Sequence, residues 1–197
     1  MSEEVLQPRS VGGLIMGALQ NRLMLAAENP DDPATRALAG ALETSWGALP
    51  HARPLGLDAA AFQTLLARYF PAANDLPELV AEAGCQPLRD DEYDDLLQLL
   101  LDHRSDSRDE TIWLASAVAA ACLGGNHLWQ DLGLSNRQEL SDLLQTRFPS
   151  LYARNTGNMK WKKFFYKQLC ERAEVQACRA PSCAVCADYS LCFGVEE

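Results

Sequence analysis

Lysine is absent from the first 159 residues of this 197-residue chain, and its four copies, Lys160, Lys162, Lys163 and Lys167, fall within eight residues of one another. Histidine is nearly as scarce, with three copies, and none lies among the cysteines near the end of the sequence. Runs of β-branched residues are few, which argues against a sheet. No apolar run approaches the roughly 20 residues that span a bilayer. The opening MSEEVLQPRS is acidic and polar, where a secretory leader carries a basic and then an apolar stretch. The expectation is a cytoplasmic protein without membrane association. Positive charge is also thin: residues 1–150 carry 10 arginines against 22 acids, residues 151–197 carry 7 lysines and arginines against 5 acids, and the formal net charge is −10. An acidic body excludes general nucleic-acid binding, which needs a broad cationic footprint to neutralise phosphates.

What is present is helical. Alanine and leucine dominate, 48% of the residues are hydrophobic, and at 21.7 kDa the chain is long enough for one good core. Start signals stand at Asp32-Pro33 before ATRALAGALETSW, at Asp58 before AAAFQTLLARYF, and at Ser135 with Gln138 as a capping box before ELSDLLQTRF. Further helices are expected at about 11–27, 91–104 and 109–123. The last of these, TIWLASAVAAACL, is apolar nearly all round and reads as the central buried helix. From Asn155 the run NTGNMKWKKFFYKQLCER predicts one more helix, followed by a short loop-rich tail. The expected class is all-α: a multi-helix body over 1–157, then a basic helix and cysteine-rich cluster-binding loop over 158–197, integrated as one domain.

Five of the seven cysteines lie in the last 28 residues, as Cys170-x7-Cys178-x4-Cys183-x2-Cys186-x5-Cys192. A disulfide framework belongs to small secreted domains that cannot build a core, and this chain can build one. Cys183-x2-Cys186 is a chelating pair whose two sulfurs can face one metal or neighbouring irons. Structural zinc sites usually join two compact hooks across a longer stretch, whereas four thiols in one continuous loop resemble the wrapping around iron–sulfur clusters, which the spacing favours. A tail without its own core would be ordered by ligation. Two other readings of the same thiolates stay open: a one-electron redox module and a zinc-organised interaction module. Cys85, in a turn, and Cys122, at the end of an apolar helix, read as incidental or buried residues.

At 100° per residue, Lys160, Lys163, Lys167 and Cys170 fall within an arc of about 80°, with Trp161, Phe164, Phe165 and Leu169 on the neighbouring face. Cations beside a thiolate cluster stabilise the deprotonated ligands and can attract an anionic substrate or partner. Among the histidines, His51 sits in a Pro-rich loop. His103 follows a helix whose C-terminus should favour its charged form. His127, in GGNHLWQDLGL, is a candidate non-sulfur ligand or a helix cap.

The segments MKWKKFFYKQLCE and CRAPSCAVCADYSLCFG, with HLWQDLGLSNRQELSDLLQTRFPSL upstream, resemble the C-terminal signature of the NifQ family over roughly residues 126–194. The family pattern C-x4-C-x2-C-x5-C falls on Cys178, Cys183, Cys186 and Cys192 without a gap. The resemblance implies a protein of nitrogen fixation that carries an iron–sulfur cluster able to incorporate molybdenum. It implies that the metal, taken from molybdate or another molybdenum donor, is supplied for iron–molybdenum cofactor synthesis on the NifEN scaffold with NifH. Such a protein is a carrier rather than a turnover enzyme. Cys170 and His127 remain further candidate ligands, and Lys160, Lys163 and Lys167 the cations that face an anion or a partner.

Overall fold

The computed structural model describes residues 17–48, 54–73, 91–174, 189–194 and 196. Among them there is no strand, and no helix is long and apolar enough to cross a membrane. Helix α1 covers Ala18–Ala26 and α2 Pro33–Ala48; a 3₁₀ turn at Pro54–Gly56 leads to α3, Ala59–Tyr69. Next come α4, Asp91–Asp102, and α5, Asp109–Cys122. The later elements are α6 (Leu128–Asp131), α7 (Arg137–Arg147), α8 (Pro149–Tyr152), α9 (Trp161–Arg172) and α10 (Tyr189–Phe193).

Caps explain the starts. The Asp32 carboxylate accepts from Ala34 N at 3.2 Å and from the Thr35 hydroxyl at 3.3 Å, and Pro33 fills the first position of α2, where its missing N–H costs nothing. Asp58 Oδ1 accepts from Ala61 N at 2.8 Å to open α3. Helix α1 has no such local cap and borrows one: Glu43 of α2 accepts from Gly17 N at 2.8 Å, Leu19 N at 2.9 Å and Gln20 N at 3.0 Å. Residues 11–16 of the expected first helix lie outside the described residues.

At α7 the cap stands one residue later than the sequence suggests. Asn136, not Ser135, accepts from Glu139 N at 3.0 Å, and Glu139 returns by accepting from Ser135 N at 2.8 Å. Gln138 points elsewhere, donating to Asp142 at 2.8 Å. Glu139 thus does the work assigned to Gln138, since a carboxylate accepts a backbone N–H more strongly than an amide does.

Helix α5 is the centre. Thr111 and every residue from Trp113 to Cys122 are buried, as an apolar circumference requires. It packs against α2 and α4, and α2 also packs on α1. On α4, Tyr93, Leu96, Leu99 and Leu100 form the buried stripe. Gly40 of α2 lies against the Leu132 backbone just after α6, where a side-chain carbon would collide with the carbonyl group; the absence of a Cβ sets that approach.

Helix α9 begins at Trp161 rather than at Asn155. Asn155 folds the preceding segment into a turn, accepting from Met159 N at 2.8 Å and donating to Met159 O at 2.9 Å, and Asn158 takes a left-handed conformation with φ 53°. The helix then buries Trp161, Phe164, Phe165 and Gln168, whereas Leu169 is only partly covered. Trp161 stacks on Tyr152 at 5.8 Å and meets Phe164 edge-on at 5.7 Å. Tyr166–Glu92 and Arg172–Asp102 contacts tie α9 to α4.

Candidate metal centre

Cys192 is placed by backbone chemistry. It lies in the one-turn helix α10, and its carbonyl accepts from Lys160 N at 2.7 Å, just ahead of α9. Beyond it, Glu196 is nearly buried and pairs with Arg137 at 2.9 Å. The same guanidinium donates to Asn158 O at 2.9 Å and Met159 O at 2.8 Å. Arg137 therefore fastens the end of the chain to the turn that starts α9. Cys192 is partly buried against the core, and Tyr189 and Phe193 stack at 4.4 Å beside it.

A buried ion pair fixes the other side. Lys162 Nζ lies 2.5 Å from Asp131 Oδ2 and 2.8 Å from the Gly124 carbonyl. Their side chains are 17% and 2% exposed, so the pair is largely shielded from water. Asp131 also accepts from Asn126 N at 3.1 Å and Asn126 Nδ2 at 2.9 Å, while its own carbonyl accepts from the Thr44 hydroxyl at 2.8 Å. Gly124 leaves the space for this carboxylate, since a Cβ there would lie 2.5 Å from Asp131 Oδ2. The network closes the loop 124–131 onto α9, and His127 rides on that loop. Its N–H donates to Gln130 Oε1 at 3.1 Å, which makes it the cap residue of α6, and its Nδ1 is 3.9 Å from Glu196. His127 and Cys192 thus belong to segments that meet α9 near its start.

The chemistry of this arrangement is a seat for a C-terminal thiol segment against a basic helix. The NifQ family profile matches residues 35–194, more than half of the chain. This chain belongs to the NifQ family. It is 47% identical to Protein NifQ of Azotobacter vinelandii over 154 residues, 72% of this chain and 78% of that one. It is 39% identical over 146 residues to the Protein NifQ homolog of Sinorhizobium fredii, covering 72% of this chain and 61% of that one. Protein NifQ of Rhodobacter capsulatus is 35% identical over 154 residues, with 78% and 83% of the two chains covered. No solved structure matches.

The NifQ match runs through all of the C-terminal cysteines, but Cys178, Cys183 and Cys186 lie outside the described residues, as does Cys85. Among the described residues no group of three His, Cys, Asp or Glu side chains is arranged to hold a metal ion. Cys170, on the last turn of α9, is partly exposed with a free thiol, and about 15 Å of helix axis separates it from Lys160. Cys122 is buried, and loss of hydration pushes its thiol up to about 12, only partly offset by the Lys162 charge. A thiol so enclosed pays more than an exposed one to become the thiolate that ligation needs, as befits a core residue.

The lysines are dispersed by the fold. Lys163 is exposed, Lys160 is half-buried at the helix start, and Lys167 is half-buried and 3.5 Å from Glu171. The residues that sequence reasoning missed are Lys162, Asp131, Arg137 and Glu196. Their partners lie 31 and 59 residues apart, and no local spacing signals such pairs. His103 also differs from expectation: burial holds its imidazole below the ordinary range, with Arg154 adding to the effect and Asp102 opposing it. It contacts the Ser150 hydroxyl at 2.7 Å.

Proposed function

We propose that this chain holds an iron–sulfur cluster on Cys178, Cys183, Cys186 and Cys192, takes molybdenum into or beside it, and donates the metal to nitrogenase iron–molybdenum cofactor assembly. The observation that carries the reading is the family match, which extends to residue 194 and so takes in every cysteine of the C-x4-C-x2-C-x5-C run. The donor set fits the cargo. Four closely spaced thiolates suit iron in a sulfide cluster, and thiolate ligation moves molybdenum from the oxygen environment of molybdate toward the sulfur environment of the cofactor.

Each residue then has a task. The four cysteines hold the cluster. Arg137 and the Lys160 N–H hold the Cys192 segment in place. Cys170 and His127 are further candidate ligands at or near α9, and the lysines offset the negative charge that a four-thiolate cluster carries. The receiving partners are the NifEN scaffold and NifH, and molybdate or an upstream donor supplies the metal.

Anaerobic purification followed by analysis for Fe, Mo, S and Zn tests the reading. Each of Cys178→Ala, Cys183→Ala, Cys186→Ala and Cys192→Ala should lose iron, because alanine cannot refill a vacant iron site. Cys85→Ala and Cys122→Ala should keep it. Full iron content in any two of the first four variants would overturn the ligand assignment. Zinc in place of iron would favour an interaction module, and iron without molybdenum a redox module.

A further inference from the structure

A cleft of about 470 Å³ opens between α9 and the turn 154–157, with Phe193 on its margin. Helix α9 contributes Phe164, Lys167, Gln168 and Glu171, one stripe at helical spacing, and the turn contributes Arg154. Two of its lining residues stand close in sequence to the described thiols of the C-terminal region: Phe193 follows Cys192 directly, and Lys167 precedes Cys170 by three residues.

Its charge is unusual for this molecule. In a chain of net charge −10, the cleft sets two cations, Arg154 and Lys167, against one carboxylate, Glu171. Neither cation is strongly engaged. Arg154 reaches the neutral Gln168 Oε1 at 3.3 Å, long for a guanidinium bond. Lys167 pairs with Glu171 at 3.5 Å, the two side chains 42% and 55% exposed, and such i,i+4 pairs are weak. Gln168 Nε2 donates to Glu171 Oε2 at 2.6 Å, so the carboxylate retains a partner when Lys167 turns to another anion. Phe164 and Phe193 are the aromatic residues of its lining.

We infer that this cleft binds a tetrahedral oxyanion of the molybdate and sulfate class, with Arg154 and Lys167 as its cationic clamp. The inference rests on the proposed molybdenum role for the identity of the anion, and on the cleft alone for its place. A guanidinium offers two parallel donors to a tetrahedral oxyanion, and the ammonium of Lys167 in the same cleft supplies the second positive charge that balances a dianion. An anion held there waits beside the segment that bears Cys192.

Equilibrium dialysis of the full-length protein against molybdate at low ionic strength tests it. Arg154→Gln and Lys167→Gln should each weaken binding about tenfold, the loss expected for one charge-assisted bond, and the double variant more. Glu171→Gln should tighten binding several-fold, an outcome that damage to the fold would not produce. Affinity within twofold of the unaltered protein in the double variant, or weaker binding in Glu171→Gln, would overturn the inference. Sulfate as competitor identifies the source: displacement only at large excess assigns the cleft to molybdate, and displacement at parity to tetrahedral dianions in general.

Iron content separates this question from the cluster. The double variant should retain its iron, and Cys178→Ala should lose iron while still binding molybdate. Loss of molybdate binding in Cys178→Ala would place the anion in the cysteine loop and reject the cleft.

Discussion

Lys162 is the lysine that a helical-arc argument leaves out, and it is the one the fold encloses. Its ammonium and the Asp131 carboxylate meet at 2.5 Å with 17% and 2% of their side chains exposed. At such burial the cost of dehydrating two charges is offset by attraction only while both remain. Asp131→Ala should therefore lower stability by about 3–5 kcal/mol, because it strands the ammonium and leaves the Asn126 amide without its acceptor. The double variant Asp131→Ala/Lys162→Met should lose less than the two single losses added together. Urea denaturation of the three variants measures this. A loss under about 1 kcal/mol in Asp131→Ala would make the pair behave like a surface one and remove its role in holding loop 124–131 to α9.

At the scale of elements, legibility follows locality. Helix α5 could be read because an all-round apolar segment has no stable place except a core, and α2 and α3 because Asp32 and Asp58 cap within three residues of themselves. Helix α9 starts later than periodicity implies because Asn155 and Asn158 favour a turn that periodicity does not register. The α1 cap was illegible, since Glu43 lies more than 20 residues away. Spacing marks the thiol run as a candidate, and it is silent on what surrounds Cys192: Arg137 and Glu196 meet only once α7 and residue 196 are packed. His103, between α4 and α8, shows the same division. A helix C-terminus favours the charged imidazole, but burial and Arg154 outweigh it. A base whose folded pKa is depressed takes up its proton first in the unfolded chain, so its contribution is present above the ordinary value of about 6.5 and is lost as pH falls through the folded value. Thermal melts from pH 7.5 to 5 should show stability falling with acid, and His103→Gln should flatten that slope. An unchanged slope would assign it to other groups.

The whole molecule joins an acidic helical body to a C-terminal region with a slight positive excess, and the join is made of core: Trp161, Phe164 and Phe165 of α9 sit in the same buried cluster as α5. A helix anchored in this way gives Cys170, on its last turn, a fixed place on the body. The described residues provide Cys192 with a seat, and the proposed role requires that the cluster travel with the protein until a partner takes it. A carrier delivers no more metal than it holds. Loaded protein added to a cofactor-synthesis system without free molybdate should give product in proportion to the protein, with yield reaching a plateau near the molybdenum initially bound. An enzyme that activated molybdate would instead act below stoichiometric amounts and would continue while molybdate and reductant lasted. Product measured against protein added, with molybdate removed in one series and supplied in the other, separates the two. Many turnovers per protein without a source of new iron–sulfur units would sink the carrier reading, because a cluster held by four thiolates and surrendered with its molybdenum has to be rebuilt before it can serve again.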